Sequence, residues 1–370
     1  MTELYLGLMS GTSMDGVDAA LCEFADGRFR RVIAAHSRRY EPKLRRALLQ
    51  LQRDKPALTL ERLAGLDHAV ARTFARTAAD LLKRERIDSA RVRAIGSHGQ
   101  TVFHDPSGAR SSMQLGDPSL IAAQTGVTTV ADFRRADIAR GGQGAPLVPA
   151  FHHAVFASAG ERRCVVNIGG IANITVLPGA DSAAVRGFDT GPGNGLMDEW
   201  IQARRGKPYD RAGRWAAAGT VDAGLLRALV ADPWFRRKPP KSTGRDTFNL
   251  RWARRRFPRL GSLRPEIVQR TFAELTAASI AAAIRTHAPG TTRVLVCGGG
   301  GENALLMQRL GELVAPAALE STADHGLDPR HVEAAAFAWL AARTINGLPG
   351  NVPAVTGAAR AAVLGGIYRA

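Results

Sequence analysis

Residues 4–24 read LYLGLM-SGTSMDG-VDAALCEF, an apolar run, a polar glycine turn and a second apolar run. The pattern is strand, tight turn, strand. It returns at residues 165–177, where Val165-Val166-Asn167-Ile168 meets Gly169-Gly170 and continues as Ile171-Ala172-Asn173-Ile174-Thr175-Val176-Leu177. Two such units, one near the start of each half, point to an internal duplication. Outward from the first unit, a third strand is expected over 29–35, then helices over 42–52 and 60–86. In the longer helix Leu63, Leu66, Val70, Phe74, Ala78 and Leu81 recur at helical spacing. A strand over 92–97 ends in the polar tip Ser97-His98-Gly99-Gln100, and residues 132–149 form a Gly-rich connection without a hydrophobic period. In the second half a strand ends at Phe188-Asp189, a glycine turn fills 190–195 and a helix starts near Leu196. An Ala-rich helix over 269–286, a strand over 293–297, a helix over 329–346 and an Ala/Gly-rich closing segment over 355–368 follow. Alternating strands and helices predict an α/β fold with a largely parallel sheet in each half. Two lobes of this kind would leave a cleft between them.

Length and composition narrow the class. At 370 residues the chain exceeds what one core usually holds, so two domains or one large one are expected. Apolar residues at 45% and charged residues at 22% exclude wholesale disorder. No apolar stretch reaches the roughly 20 residues of a bilayer span, and no basic, signal-like N-terminus precedes the first strand. A membrane partner and export are therefore not expected. Cys22, Cys164 and Cys297 lie far apart in apolar runs and read as reduced core thiols of a cytoplasmic protein. The net charge of +17 raises the question of nucleic acid, yet only six of the 50 basic residues are Lys and the Arg pairs are spread over the whole chain. Only residues 252–259, WARRRFPR, cluster densely. A basic surface that attracts anionic small molecules accounts for this better than a recognition stripe, so no nucleic-acid partner is expected.

Glycine turns at strand ends let backbone N–H groups converge on an anion. Four occur: 10–16, 169–170, 191–195 and 298–301. None has the lysine of a P-loop, and Gly191-Pro-Gly193-Asn-Gly195-Leu196 lacks the third glycine of a dinucleotide fingerprint. A phosphoryl-transfer enzyme without a P-loop still needs carboxylates for a metal ion and a base for the acceptor. Asp15, Asp18, Asp117 and Asp189 stand at strand or turn ends. From position alone Asp189 fits an Asx-turn cap as well as a base. His98 and His104 match no zinc spacing, which leaves His98 as a polar substrate contact.

With these residues in view, the chain resembles the anhydro-N-acetylmuramic acid kinases, members of the actin-like superfamily of sugar kinases, acetate kinases and heat-shock ATPases. The resemblance rests on Gly7 to Asp18, Gly96 to His104, Gln114 to Asp117, Asp132 to Arg134, Asn167 to Asn173, Gly187 to Asn194, Cys297 to Asn303 and Val332 to Leu340, in family order from end to end. It implies a two-lobed actin-like ATPase fold made of duplicated ribonuclease H-like domains with an interdomain cleft. The first lobe would take residues 1–131 plus 350–370, and the second 132–349. ATP with Mg²⁺ is implied on Gly11, Thr12, Ser13, Met14, Asp15, Gly16, Val17 and Asp18, on Asn167, Gly169, Gly170 and Gly191, and near the adenosine on Gly298, Gly299, Gly300 and Asn303. The metal ligands are left open. The implied substrate is the small molecule 1,6-anhydro-N-acetylmuramic acid of peptidoglycan recycling, contacted by Ser10, His98, Gln100, Asp117, Arg134 and Glu333. Asp189 would be the base that directs water at the anomeric carbon while the freed 6-oxygen takes the γ-phosphoryl. Arg134 could equally be an ordinary surface arginine, and Glu333 a first-turn carboxylate favoured by the helix dipole. The resemblance further implies a homodimer. A kinase of another sugar or of a carboxylate, without the hydrolytic step, is the alternative inside the superfamily, and a nucleic-acid-binding protein is the alternative outside it.

Overall fold

The computed structural model describes residues 2–54 and 56–370, so Met1 lies outside it. Strands β1 (Thr2–Met9), β2 (Gly16–Ala25), β3 (Arg28–Arg39), β4 (Val92–Ser97), β5 (Gln100–Asp105), β6 (Ser111–Leu115) and β7 (Thr129–Ala131) come first. Then follow β8 (Arg163–Ile168), β9 (Ile171–Leu177), β10 (Arg186–Pro192), β11 (Arg293–Cys297), β12 (Ala318–Ser321) and β13 (Gly366–Tyr368). The chain divides into two compact units, one ending at Val155 and completed by His331–Ala370, the other Phe156–Arg330.

The two sheets repeat one topology. In the first unit the order is β13-β7-β4-β1-β2-β3, and in the second β10-β9-β8-β11-β12. Each runs as an antiparallel meander (β1-β2-β3; β8-β9-β10) whose first strand pairs parallel with one later strand (β4; β11), which in turn pairs parallel with the next (β7; β12). The duplication suggested by the sequence is thus present in the strand order. The sheets are mixed rather than largely parallel, for a simple reason: a turn as short as Gly169-Gly170 can join only antiparallel neighbours, whereas parallel pairing needs a crossover of a dozen or more residues.

In the first unit Leu4, Leu6 and Leu8 of β1 and Val17, Ala19 and Leu21 of β2 share a core with Val70, Phe74, Ala78 and Leu81 of the helix Leu60–Arg84. The opposite face of β1 carries Gly7, in register with Gly96 of β4, and both meet the helix Val332–Ile345. A Cβ on Gly7 would lie 1.8 Å from the Ala334 carbonyl oxygen, and one on Gly96 2.0 Å from that of Phe337. The two glycines therefore cut a groove into which helix backbone sinks. Covered on both faces, β1 reads as a continuous apolar run rather than an alternating one.

That contact corrects the expected boundaries. Residues 132–155 and 331–349, which the family resemblance assigns to the second lobe, lie in the first unit. Besides the glycine groove, the buried Asp137 carboxylate ties the segments together by accepting hydrogen bonds from Gly144 N (2.8 Å), Asn351 Nδ2 (2.7 Å) and Thr356 Oγ1 (2.8 Å). The stretch 132–149, expected to be irregular, contains the helix Phe133–Ile138 and the start of Val148–Phe156. Each is too short to display a period. Among the described residues no helix is long and apolar enough to cross a membrane, and Cys22, Cys164 and Cys297 are buried and in no disulfide.

Candidate functional site

The first turn leaves β1 at Ser10 and enters β2 at Gly16. Met14 adopts φ +51 and sends a fully buried side chain into the core, and Val17 is buried beside it, so these two residues offer a ligand only their backbone. Gly11 has nothing within 4 Å of where a Cβ would stand, whereas Gly16 would strike the Arg38 carbonyl oxygen at 2.3 Å. Gly11 is open for close approach; Gly16 is needed for packing. Thr12 is exposed and Ser13 partly so. Arg45 staples the turn from outside, donating to Asp15 Oδ1 at 2.6 Å and to the Met14 carbonyl oxygen at 3.1 Å. Asp18 accepts from Ser37 Oγ at 2.5 Å and is exposed.

Beneath the turn lies a buried polar cluster. The Ser10 hydroxyl stands 2.7 Å from both the Gly16 carbonyl oxygen and Gln100 Oε1, and its single proton serves one of them at a time. Tyr40 also donates to Gln100 Oε1, at 3.4 Å. His98 accepts from Arg134 through Nε2, 2.8 Å from Nη2 and 3.3 Å from Nε, and its ring lies 4.7 Å from that of Phe337. Burial, then the Arg134 charge, hold His98 well below the ordinary histidine range. It is a neutral acceptor. Arg134 also donates from Nη1 to the Gly144 carbonyl oxygen at 2.7 Å. Three of its five N–H groups are thereby placed, and one on each Nη remains, the pair of donors an arginine uses for a carboxylate. This is not the free surface arginine that position alone allowed. Burial pushes the Glu333 carboxyl up, Asp18 pushes the same way and Arg134 opposes them, so Glu333 belongs to this cluster electrostatically. Asp117 is placed differently: it caps the helix Pro118–Thr125, accepting from Ser119 N at 2.9 Å. His104 meets Ser112 Oγ at 3.0 Å.

In the second unit Asp189 lies mid-strand in β10, which runs on to Pro192 instead of ending there as expected. Its Oδ2 accepts from Thr243 N at 2.8 Å, and its own N–H donates to the Lys241 carbonyl oxygen at 3.1 Å. Burial pushes the carboxyl up to about 6, against the pull of the Thr243 N–H and the Lys241 charge. Burial lowers Lys241 in turn, with Asp189 opposing, and its ammonium sits 4.5 Å over the Trp234 ring. A half-buried carboxyl poised near neutrality suits a general base. Since a base must be ionised to act, turnover is expected to climb as pH rises through about 6 and to level above it. A kcat profile across pH about 5 to 8 reads this directly, and a flat profile removes Asp189 as the base. The stability sign is opposite: a raised folded-state value gives stability that is complete below the ordinary carboxyl range and is lost as pH rises through about 6.

The remaining glycine turns sort by contact. Gly193 N and Gly195 N both donate to the Gly170 carbonyl oxygen at 3.1 Å, and Asn194 N to that of Gly169 at 2.7 Å, so the turns 169–170 and 191–195 are clamped together. Gly191, at φ +135, faces Phe235. Gly298, at φ +79, abuts Asn167 Oδ1, and Gly300 abuts Ile168; only Gly299 of these three has open space on its Cβ side. Asn303 caps the helix Ala304–Val314 by accepting from Leu306 N at 3.1 Å. The residues that hold Asp189 in place, Lys241 and Thr243, escaped the sequence reading. Segment 238–249 (KPPKSTGRDTFN) has no period, and its one signal is a pair of prolines followed by small polar residues around cations.

A family model described as anhydro-N-acetylmuramic acid kinase matches residues 3–370. The chain belongs to the anhydro-N-acetylmuramic acid kinase family. The anhydro-N-acetylmuramic acid kinase of Xanthomonas campestris pv. campestris (strain 8004) is 51% identical over 370 residues, covering 99% of this chain and 97% of the relative. That of Shewanella halifaxensis (strain HAW-EB4) is 49% identical over 367 residues, covering 99% and 98%. Among solved structures, the activator of the 2-hydroxyisocaproyl-CoA dehydratase from Clostridium difficile with bound ADPNP aligns at a TM-score of 0.48 and 9% identity, covering 93% of this chain and 97% of that one. As a member of the anhydro-N-acetylmuramic acid kinase family the chain is a kinase, a phosphotransferase, and its α/β class is the one expected from the sequence.

Proposed function

We propose that this kinase takes 1,6-anhydro-N-acetylmuramic acid, ATP and water to N-acetylmuramic acid 6-phosphate and ADP, in peptidoglycan recycling. The observation that carries the reading is Asp189, a carboxyl raised to about 6 and held by the Thr243 N–H. Ionised, it takes a proton from water as the oxygen bonds to the anomeric carbon; the bridging bond from that carbon to the 6-oxygen breaks, and the 6-oxygen takes the γ-phosphoryl group while ADP leaves. An inverting glycosidase would need a second carboxyl to protonate the leaving oxygen. Phosphorylation replaces that proton here. The open fork of Arg134 suits the lactyl carboxylate, while neutral His98, Ser10 and Gln100 offer hydrogen bonds to the sugar, and Glu333 stands for a contact near the bridge. Asp117, whose carboxylate is used as a helix cap, is the weakest of these assignments.

The nucleotide is assigned to the turn at Gly11, the Gly169-Gly170 turn and Gly299, of which Gly11 and Gly299 have open space on the Cβ side. No group of three or more metal-ligating side chains occurs among the described residues, which suits Mg²⁺, an ion held largely by substrate phosphates and water with one or two carboxylates. Asp15 on the first turn and Asp18 in β2 are the carboxylates available for it. Bound there, Mg²⁺ would neutralise charge on the phosphoryl oxygens. Buried reduced thiols favour a cytoplasmic setting. We take the working form to be the homodimer that the family resemblance implies, with neither membrane nor nucleic acid as partner.

The reaction run in ¹⁸O-water tests this reading. The sugar phosphate is expected to carry one solvent oxygen at the anomeric carbon when sampled before the reducing sugar exchanges with solvent. Phosphorylation of an ordinary hydroxyl with no label at that carbon would establish the alternative, a sugar kinase without the hydrolytic step.

A further inference from the structure

We infer that Arg245 is a phosphate-binding residue of the nucleotide site, gripping the phosphoryl group that is transferred. The inference rests on the kinase reading and adds a residue that no sequence motif pointed to. Clamping the twin glycine turn has a consequence for anion binding. The N–H groups of Gly193, Asn194 and Gly195 are spent on the carbonyls of Gly169 and Gly170, and Gly169 N donates to the Ile171 carbonyl oxygen at 3.2 Å. With these four donors used internally, the turn has little backbone N–H left to offer a phosphate. The positive charge has to come from a side chain.

Arg245 is the side chain in place. Its Cδ lies 3.3 Å from where a Cβ of Gly170 would stand, and its Nε 3.4 Å from the corresponding point of Gly195. The stem therefore crosses both glycines, which leaves the guanidinium at the turn. Among the described residues that guanidinium makes no hydrogen bond or ion pair, although the backbone carrying it is well fixed. The Gly244 carbonyl oxygen accepts from Thr247 N and Phe248 N at 3.1 Å each, the Arg245 carbonyl oxygen accepts from Asn249 Nδ2 at 3.1 Å, and Phe248 packs edge-on to Trp234 and Trp252. Nor is Arg245 a partner of the base, since the charge that acts on Asp189 is that of Lys241. An unpaired, planar fork on a fixed backbone beside a glycine turn matches the geometry of a phosphate.

The test titrates the full-length protein by calorimetry with a non-hydrolysable ATP analogue, with ADP and with adenosine, in wild type, Arg245→Gln and Arg245→Lys. The Gln variant is expected to bind the analogue about tenfold or more weakly, ADP less so, and adenosine unchanged. Its kcat/KM for ATP should fall with sugar KM, melting temperature and the pH limb of Asp189 preserved; Lys should recover part of the loss. If the Gln variant melts early, the Lys variant, which keeps the aliphatic stem over the glycines, becomes the comparison. A wild-type ratio of analogue to ADP affinity in both variants overturns the inference, as does a wild-type protein that binds no analogue. If wild type binds nucleotide yet fails to phosphorylate the anhydro sugar, the functional reading falls alone, and the affinity ratios still decide the role of Arg245.

Discussion

Replacing Asp189 by Asn is expected to lower turnover by about 10²- to 10⁴-fold, the usual range for a lost general base, while nucleotide affinity stays near that of wild type. Asn keeps the size of the side chain, and its amide oxygen can still accept the Thr243 N–H that the carboxylate takes at 2.8 Å. What it loses is the basic oxygen. The same change should abolish the rise in kcat through about pH 6, because the group that titrates there is gone. Lys241, relieved of its partner, should become easier to deprotonate, since Asp189 is the group that holds it charged against burial. Turnover and calorimetric affinity measured side by side check the prediction. A variant with undiminished kcat would show that another group handles the proton.

Gly7→Ala and Gly96→Ala are expected to cost about 3 kcal/mol of stability each, or to prevent folding of the first unit. Overpacking a core ordinarily costs about 1–3 kcal/mol because side chains can shift rotamer. Here the obstacle is a helix carbonyl, 1.8 Å from the new methyl at Gly7 and 2.0 Å at Gly96, and backbone does not step aside without lifting the helix Val332–Ile345 from the sheet. Glu333 precedes the residue that Gly7 touches, so any folded fraction should also lose activity. Gly11→Ala and Gly299→Ala supply the contrast. Neither methyl would meet an atom within 4 Å, so stability should stay within about 0.5 kcal/mol while nucleotide affinity drops. Urea unfolding midpoints of the four variants separate the two groups, and a Gly7→Ala protein as stable as wild type would refute the groove.

These glycines show how far sequence reaches. Gly11 and Gly299 stand in glycine turns that the sequence assigns to ligand approach, whereas Gly7 and Gly96 lie inside the apolar runs 4–9 and 92–97, where nothing along the chain accounts for a glycine. The distinction depends on a helix more than 230 residues away along the chain. Segment 238–249 is the harder case. Lys241, Thr243 and Arg245 matter through what they face, namely Asp189 and the Gly170 turn, and an irregular loop carries no period from which its direction could be read.

By itself the sequence determined whatever is local. The helix Leu60–Arg84 followed from its apolar spacing, the strands Val92–Ser97 and Arg293–Cys297 from short apolar runs, the duplicated opening unit from its repeat, and the family from motifs in order along the chain. Spacing records which side of a segment avoids water. Tertiary structure decided the rest: that each sheet is mixed, that Val332–Ile345 and Phe133–Ile138 belong to the first unit, that Arg134 is locked to His98, and that Asp189 is raised toward neutrality. Each of these is a relation between residues far apart in sequence. Partner, distance and desolvation exist only once the chain has closed around them.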